Sequence, residues 1–302
     1  MHGIIPLWKP VGLTSHDCVM KMRRIFRTKK VGHTGTLDPE VAGVLPICIG
    51  EATKIVPYLT DTKKTYQAEV TLGYATDTED QTGKIVETSD DVPSFTNAAL
   101  EQVLAKFQGE ITQVVPLYSA VKVNGKKLYE YARANQPVER PSRQTMIFSI
   151  ELIKNSIKEE NGLFRFGYEV TCSKGTYIRT LSLDIGKALG FPAHMSHLIR
   201  TATGNFTREN SYTLEEIEAK RAEEKHENLL VPFKQGVDHL PVWSVDEEVA
   251  KKVLNGQKLN KPAALLPDIP YRVEVNDHLL AIYQQHPTKP ELMKPSRVFR
   301  YD

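Results

Sequence analysis

One carboxylate of this chain is placed where a rigid loop could present it to a ligand. Asp38 lies in the string GHTGTLDPEVAGVLPICIGEATK, residues 32–54, after Gly32 and Gly35 and directly before Pro39. An Asp in front of a Pro usually begins a turn or caps a helix, which is the simpler interpretation. The other interpretation is chemical, because a lone carboxylate can act as a general base or as a nucleophile. The local pattern leaves both open.

Two more side chains with chemical potential belong to segments that are typical of regular structure. Tyr66 lies in KTYQAEVTLG, residues 64–73, where residues alternate as in a half-buried strand, and such a tyrosine is usually a core residue. Arg179 lies in GTYIRTLSLDIGKALG, residues 175–190, whose apolar spacing is helical, and such an arginine is usually exposed. These patterns alone assign neither residue a chemical role.

Several familiar chemistries lack their motifs. The chain has no phosphate-binding loop, dinucleotide fingerprint or nucleophile elbow, and its three cysteines form no CxxC pair. We therefore expect neither a disulfide framework nor a metal site, and a reducing cytoplasm as the location. The acidic string TDTEDQTG, residues 76–83, has Thr82 where a calcium loop needs glycine, so we expect a hydrated turn. His194 and His197 are three residues apart without a third ligand, a pattern that is usually structural.

The charge of the chain is small in total but uneven along the sequence. The formal net charge is +2, yet basic residues concentrate in residues 1–30 and 122–143, while acidic residues concentrate in 76–91 and 215–227. Such runs are either solvated faces or a surface for a polyanion. No apolar run approaches the roughly 20 residues that span a bilayer, and the N-terminus has no signal-peptide pattern, so we expect no membrane association.

The predicted elements favour a mixed α+β fold. Thr14 and Asp17 have capping-box spacing, which predicts a helix with Val19, Met22 and Phe26 on its buried side. Further segments predict strands at 64–73, 143–153 and 163–173 and helices at 96–107, 175–190 and near 213–230. Because strands and helices do not alternate strictly, we expect a mainly antiparallel sheet flanked by helices. Composition changes near residue 240, which predicts domains at 1–238 and 239–302, the second small and β-rich.

Five ordered strings resemble one family. They are LWKPVGLTS, the string around Asp38, KTYQAEVTLGYATDTEDQTG, PLYSAVKVNGKKLYEYAR and CSKGTYIRTLSLDIGKALG, and together they resemble the bacterial tRNA pseudouridine-55 synthase family of the TruB type. The resemblance implies a pseudouridine-synthase-like catalytic domain and a C-terminal PUA-like RNA-binding domain. It also implies isomerisation of a T-loop uridine in tRNA by a monomer that needs no cofactor, metal or protein partner. A non-catalytic tRNA-binding module and an aspartyl-phosphate hydrolase are the alternatives.

The resemblance also implies roles for individual residues. By position in the motifs, Asp38 is the essential carboxylate, Arg179 the cation that keeps it ionised, and Tyr66 the residue that stacks on the base and helps to remove the C5 proton. Asp38 could attack uracil C6, attack ribose C1′ or remove the C2′ proton, and these routes stay open. All three need an ionised carboxylate in a site from which water is largely excluded.

The remaining implied residues bind RNA or support the loop. His33 enters the space that the flipped nucleotide leaves, while Tyr177 and Leu198 line the nucleotide pocket. The supporting residues are Lys9, Pro10, Gly32 and Gly35, of which the glycines allow close approach of the backbone.

Overall fold

The computed structural model describes residues 1–91 and 93–300. Its strands are β1 (Gly3–Lys9), β2 (Val31–His33), β3 (Ala42–Ile49), β4 (Lys64–Leu72), β5 (Tyr74–Thr76), β6 (Ile85–Thr88), β7 (Gly109–Val114), β8 (Lys122–Val123), β9 (Lys126–Lys127), β10 (Ser142–Leu152), β11 (Lys158–Glu160), β12 (Leu163–Cys172), β13 (Ala193–Thr203), β14 (Phe206–Thr207), β15 (Val242–Ser244), β16 (Leu259–Asn260), β17 (Tyr271–Val275), β18 (His278–His286) and β19 (Lys289–Val298). Its α-helices are α1 (Ser15–Ile25), α2 (Val56–Thr60), α3 (Asn97–Ala105), α4 (Leu128–Arg133), α5 (Ile178–Leu189), α6 (Leu214–Ala222) and α7 (Glu247–Leu254). Short 3-10 helices cover Gly50–Ile55, His226–Leu229 and Phe233–Val237.

The chain forms two compact units. The first comprises Met1–Glu40, Val44–Thr62 and Gly204–Asp302, and the second comprises Val41–Gly43 and Lys63–Thr203. Because the first unit is assembled from three stretches of chain, contacts between distant parts of the sequence are required to complete it.

An antiparallel sheet is the centre of the second unit. Its strands follow the order β13, β4, β12, β10 and β7, and β11 extends the edge of β12. The short segment at Ala42 and Gly43 lies parallel to β13 at Ile199 and Arg200. Helices α3 and α5 pack against the sheet. The separate pairs β5–β6 and β8–β9 are hairpins.

Residue alternation along β12 shows that one face of this sheet is buried. Its predicted inward residues, from Phe164 to Cys172 at every second position, are all buried, whereas Arg165, Glu169 and Thr171 between them are more exposed and only Gly167 is also buried. Val70 and Leu72 of β4 are also fully buried. Alternating burial is what an antiparallel strand shows when one face packs on a core.

Local signals also explain the helix boundaries. The Thr14 side chain accepts a hydrogen bond from the Asp17 N–H at 3.0 Å, and Asp17 accepts one from the Thr14 N–H at 2.9 Å, so the predicted capping box begins α1. Gly190 ends α5 in the left-handed conformation, with a φ of 83°. The helix predicted at 96–107 ends slightly earlier, at Ala105.

The first unit contains a second sheet and two apolar clusters. Strands β15, β17, β18, β19 and β16 lie in that order, with β15 parallel to β17 and the other pairs antiparallel. One cluster, which includes Val253, Val273 and Tyr283, lies between this sheet and α7. The other joins residues from both ends of the chain, among them Ile4 and Phe299.

The predicted fold class is confirmed: the fold is mixed α+β, mainly antiparallel, with a β-rich C-terminal part. Among the described residues, no helix is both long and apolar enough to cross a membrane.

Candidate active site

The loop that carries Asp38 is fixed on both sides of that residue. Before it, the buried Leu37 is held by Ser15, whose Oγ accepts a hydrogen bond from the Leu37 N–H at 2.9 Å and donates one to the Leu37 carbonyl at 3.2 Å. After it, the Pro39 carbonyl accepts hydrogen bonds from the Gly12 N–H at 2.9 Å and from Lys9 Nζ at 3.2 Å. The backbone on either side of Asp38 is therefore anchored to the segment from β1 to α1.

Lys9 is a fully buried cation beneath this loop. Its ammonium group donates to the carbonyl oxygens of Pro10 at 2.9 Å and Leu13 at 2.6 Å, in addition to the Pro39 carbonyl. A buried ammonium group is costly unless its donors are paired, and three carbonyl oxygens satisfy its three N–H groups. Lys9 thus connects the turn after β1 to the loop that contains Asp38.

Asp38 itself is exposed. A reacting carboxylate in this reaction needs to be shielded from water. For an exposed residue, that exclusion has to come from a bound substrate, because desolvation follows only when another surface covers the group.

The residues before Asp38 form a short strand and a glycine turn. Gly32 and His33 of β2 pair with Cys48 and Ile47 of β3. Gly35 adopts a φ of 147°, which favours glycine, and its N–H donates to His33 Nδ1 at 3.3 Å. Because Nδ1 accepts this bond, the neutral imidazole carries its proton on Nε2. The first unit therefore holds His33 and Asp38 on one anchored segment.

Tyr66 and Leu198 share one face of the sheet in the second unit. Tyr66 on β4 lies opposite Arg200 on β13, and Ala68 lies opposite Leu198, with no irregularity between these pairs. Directly opposed residues point to the same side of an antiparallel sheet, so these side chains are neighbours. Leu198 is 8% exposed, whereas Tyr66 is half-buried.

The same face carries an arginine that the sequence analysis did not identify. Arg200 is 1% exposed, and it is among the largest fully buried side chains in the described part of the chain. Strand patterns gave no signal for it, because an isolated arginine in the string HLIRTATG has no spacing that distinguishes a buried from an exposed cation.

Tyr177 and Arg179 lie at the beginning of α5. Tyr177 is the N-cap residue, and Arg179 is the second residue of the helix. The Arg179 side chain is only 11% exposed, in contrast to the usual exposure of an arginine in such a helix. Its Nη1 donates to the Thr78 carbonyl at 3.2 Å and its Nη2 to the Tyr118 carbonyl at 3.0 Å.

The acidic string at residues 76–83 forms a turn that is exposed at Asp77, Gln81 and Thr82, but its buried part packs on α5, so the expected hydrated turn is only partly confirmed. Glu79 is 7% exposed and accepts a hydrogen bond from Thr180 Oγ1 at 2.7 Å. Asp80 Oδ2 lies 3.7 Å from Arg179 Nη1. The turn also bonds to β13, where the Met195 N–H donates to the Glu79 carbonyl at 3.0 Å.

Asp80, which no sequence pattern singled out, lies beside Arg179. Its Oδ1 accepts hydrogen bonds from the Thr82 N–H at 2.9 Å and from the hydroxyls of Thr78 at 2.8 Å and Thr82 at 2.6 Å, which leaves Oδ2 toward Arg179. No local pattern could have found it, because Asp80 and Arg179 are 99 positions apart in the sequence (179 − 80).

Thiol and metal chemistry find no support among the described residues. Burial raises the pKa of the Cys172 thiol to about 11, and burial also raises the pKa of Cys18 and of Cys48. These thiols are therefore protonated near neutral pH and are poor nucleophiles. Within residues 1–91 and 93–300, no three His, Cys, Asp or Glu residues form a group that could hold a metal ion.

The two histidines of the predicted structural pair lie on β13 rather than on a helix. His194 is 1% exposed, stacks on Tyr74 with ring centroids 4.2 Å apart, and has Nδ1 3.1 Å from the Tyr74 carbonyl. His197 is exposed. His194 is therefore packed as a structural residue is, while His197 is a surface residue.

A surface cavity of about 490 Å³ is lined by residues of the first unit. Its lining includes Phe233, Lys234 and His278, and Lys234 is already in ion pairs with Glu274 and Asp277. The cavity contains none of the predicted site residues and is not a candidate for the same chemistry.

Comparison with known proteins gives consistent matches along almost the whole chain. Residues 23–178 match the family described as TruB family pseudouridylate synthase (N terminal domain), and residues 179–240 match the tRNA pseudouridylate synthase B C-terminal domain. The protein named tRNA pseudouridine synthase B from Oceanobacillus iheyensis is 59% identical, with 99% of this chain and 98% of that protein aligned. The protein of the same name from Bacillus subtilis is 52% identical, with 99% and 97% aligned.

Solved structures show the same fold in more distant proteins. A chain in a Cbf5–Nop10–Gar1 complex is 29% identical with a TM-score of 0.75, and the match covers 99% of this chain and 84% of that one. A chain in an H/ACA RNP bound to a substrate RNA containing 2′-deoxyuridine is 26% identical with a TM-score of 0.74, and the match covers 99% and 85%.

Proposed function

The chain belongs to the TruB family of pseudouridylate synthases, and we propose that it converts a uridine in the T loop of tRNA to pseudouridine, with Asp38 as the essential carboxylate. The observation that carries this proposal is the match to the family across residues 23–240, in which the GHTGTLDP string is contained. The named relatives in Oceanobacillus iheyensis and Bacillus subtilis support tRNA as the substrate.

The reaction conserves every atom of the substrate. The N1–C1′ glycosidic bond breaks, the uracil turns, C5 forms the new bond to C1′, the C5 proton leaves and N1 gains a proton. Because the product is an isomer, the stoichiometry requires no co-substrate, and we propose that no cofactor or metal takes part. Asp38 acts by attack at C6, attack at C1′ or removal of the C2′ proton.

Arg179 and Tyr66 are proposed to have separate roles in the reaction. Arg179 supplies the permanent positive charge that keeps a carboxylate ionised when the site is covered by RNA. Its guanidinium donates to two neutral carbonyl oxygens, which hold it in place without cancelling its charge. Tyr66 stacks on the uracil and takes part in removal of the C5 proton.

Access to the uridine requires that it leave the stack of the T loop. Flipping one nucleotide costs a few kcal/mol of stacking free energy. We propose that His33 fills the vacated space and that Tyr177 and Leu198 line the pocket for the flipped base. Lys9, Pro10, Gly32 and Gly35 support the loop, in keeping with the hydrogen bonds from Lys9 to Pro10 and Pro39.

The wider organisation belongs to the same proposal. Residues 1–238 are proposed as the catalytic domain and residues 239–302 as a PUA-like RNA-binding domain, with the T stem-loop of tRNA as the partner. We propose a cytoplasmic monomer that needs no protein partner, although the structural relatives are found in complexes with other proteins.

Replacement of Asp38 tests the proposal directly. The Asp38→Asn variant removes the ionised carboxylate but keeps the size of the side chain, so we expect no pseudouridine in a T-arm RNA and an unchanged Kd for that RNA. Glu40→Gln is the matched control, since Glu40 is also an exposed carboxylate in the same loop, and it should retain activity. Pseudouridine formation by Asp38→Asn at the wild-type rate would contradict the assignment, and inactive wild-type protein would contradict the function.

A further inference from the structure

Gln113 on β7 is a fully buried amide whose partner is a single residue of the backbone. Its Nε2 donates to the Tyr177 carbonyl at 3.1 Å, and its Oε1 accepts from the Tyr177 N–H at 3.0 Å. Both polar groups of the amide are therefore paired with Tyr177. An apolar residue of similar size could fill this space without any partner, so the amide contributes orientation as well as volume.

The Gln113 contact holds the N-cap residue of a helix that has no side-chain cap. Tyr177 is the N-cap residue of α5, and no side chain caps the helix locally. The Tyr177 carbonyl also accepts the first helical hydrogen bond, from the Leu181 N–H at 3.0 Å. Gln113 thus fixes the peptide groups on both sides of the Tyr177 Cα atom, and with them the direction in which α5 begins.

The residue beside Gln113 holds the Tyr177 ring. Arg143 on β10 lies directly opposite Gln113, and its guanidinium carbon is 5.3 Å from the centroid of the Tyr177 ring. Arg143 Nη1 also donates to the carbonyl of Gly175 at 3.5 Å. Two neighbouring side chains on β7 and β10 therefore hold the ring and the backbone of Tyr177 together.

We propose that Gln113 is a positioning residue for the isomerisation. It does not contact RNA in this role. It fixes the N-terminus of α5, and through the first turn of that helix it sets the positions of Tyr177 and Arg179. This inference rests on the proposed function, because its effect is read in the rate of pseudouridine formation. Small displacements of groups at a reacting centre are sufficient to lower rates strongly.

The Gln113→Met variant tests this role. Methionine keeps the length of the side chain and removes both hydrogen bonds, so the single-turnover rate constant with saturating protein should fall about 10- to 100-fold while the Kd for T-arm RNA stays unchanged. Ser156→Ala is the matched control, because Ser156 Oγ also bonds to backbone groups of the second unit, at Ile153 and Gly167, but has no contact with α5 in those bonds. It should lose thermal stability and keep the wild-type rate.

The Gln113→Glu variant adds a readout that loss of stability alone would not move. Desolvation raises the pKa of a carboxyl group at a fully buried position, whereas the positive charge of Arg143, directly opposite on β10, lowers it, so the pKa of the introduced group is measured first. Below that pKa the group is protonated, so it donates to the Tyr177 carbonyl and accepts from the Tyr177 N–H as the amide does. Above that pKa it ionises and repels that carbonyl. The rate of this variant relative to wild type should therefore fall as the pH rises.

The outcomes separate the inference from the function on which it rests. A wild-type protein that forms no pseudouridine overturns the proposed function. An active wild type together with a Gln113→Met rate equal to that of Ser156→Ala overturns the positioning role. If Gln113→Met does not fold, the Gln113→Glu profile decides, and a rate ratio that does not change with pH overturns the role.

Discussion

At the scale of single residues, Arg179 shows how a mostly buried cation is held without losing its charge. Carbonyl oxygens of Thr78 and Tyr118 accept from it at 3.2 and 3.0 Å, whereas the carboxylate of Asp80 is farther away, at 3.7 Å. Neutral acceptors orient a guanidinium but do not cancel its charge, and a distant carboxylate cancels it only in part. The two carbonyl oxygens therefore fix the orientation of the guanidinium, while its charge is retained.

Asp80→Asn should slow the reaction without unfolding the protein. The amide keeps the oxygen that accepts from Thr78 and Thr82, but it places an NH₂ group toward Arg179, so the guanidinium loses an ionic partner that orients it and is displaced by the facing donor group. We expect a single-turnover rate about 10-fold lower, corresponding to roughly 1.4 kcal/mol. Asp77→Asn is the control, because Asp77 accepts from the Lys84 N–H in the same turn. Equal rates for the two variants would show that Asp80 does not act through Arg179.

His194 should make stability sensitive to mild acid. Burial lowers the pKa of His194, which the charge of Arg165 also lowers, while the Tyr74 carbonyl, Asp80 and Glu69 oppose the shift. Because the folded-state pKa lies below the unfolded value, the unfolded state binds the proton first, and stability is lost as the pH falls below about 6.5.

The measurement is the urea-induced unfolding free energy at neutral and mildly acidic pH. His194→Gln keeps an N–H donor for the Tyr74 carbonyl but cannot titrate, so it should lose less stability than wild type on acidification. His197→Gln, at an exposed position on the same strand, should behave as wild type does. A His194→Gln variant with the wild-type pH dependence would refute the assignment.

At the scale of elements, the segment that follows the Asp38 loop depends on a glycine. Gly43 has a φ of 133° and lies beside Arg200 on β13, where an added Cβ atom would be 2.3 Å from the Arg200 carbonyl oxygen. The nearest atoms are backbone atoms of Arg200, which cannot move aside as the end of a flexible side chain can. Any residue other than glycine would therefore separate the segment at residues 41–43 from β13.

Gly43→Ala should lower the unfolding free energy by about 2 to 4 kcal/mol. Gly162→Ala is the matched control, since Gly162 also has a positive φ, of 75°, but no atom lies within 4 Å of its added Cβ. That variant has only backbone strain, about 1 kcal/mol. Chemical denaturation measures both, and equal losses would mean that the close approach to Arg200 contributes nothing.

The elements differ in how far they could be predicted. Helix α1 and strand β12 followed from the sequence because their signals are local: a Thr and an Asp three residues apart, and alternation over ten residues. The docking of the acidic turn on α5 did not, because Glu79 and Thr180 are distant in the chain and each alone resembles a solvated residue. Gln113 was missed for the same reason. Long-range polar partners have no sequence period, whereas buried faces do.

At the scale of the whole molecule, the ends of the chain share one core within the first unit. Leu279, Ile282 and Phe299 belong to the same apolar cluster as Ile4 and Val44. Hydrogen bonds add to it: Lys54 Nζ donates to the Val298 carbonyl at 2.8 Å, and Glu51 Oε2 accepts from the Arg300 N–H at 3.0 Å. Residues from both sides of the predicted boundary between 238 and 239 thus pack in one apolar cluster. Whether the two sides unfold together can be measured.

Phe299→Ala should destabilise the N-terminal strand as well as the C-terminal sheet. Phe299 is fully buried, and its ring lies 5.0 Å from that of Phe233, so truncation should cost about 3 to 5 kcal/mol. Leu266→Ala, at a residue that is 61% exposed, should change stability by less than about 0.5 kcal/mol. Hydrogen exchange locates the effect: faster exchange of the Ile4 amide, which bonds to the Val231 carbonyl, indicates one cooperative unit. Faster exchange confined to residues 239–300 would instead mean that the C-terminal part unfolds alone, as an autonomous RNA-binding domain does.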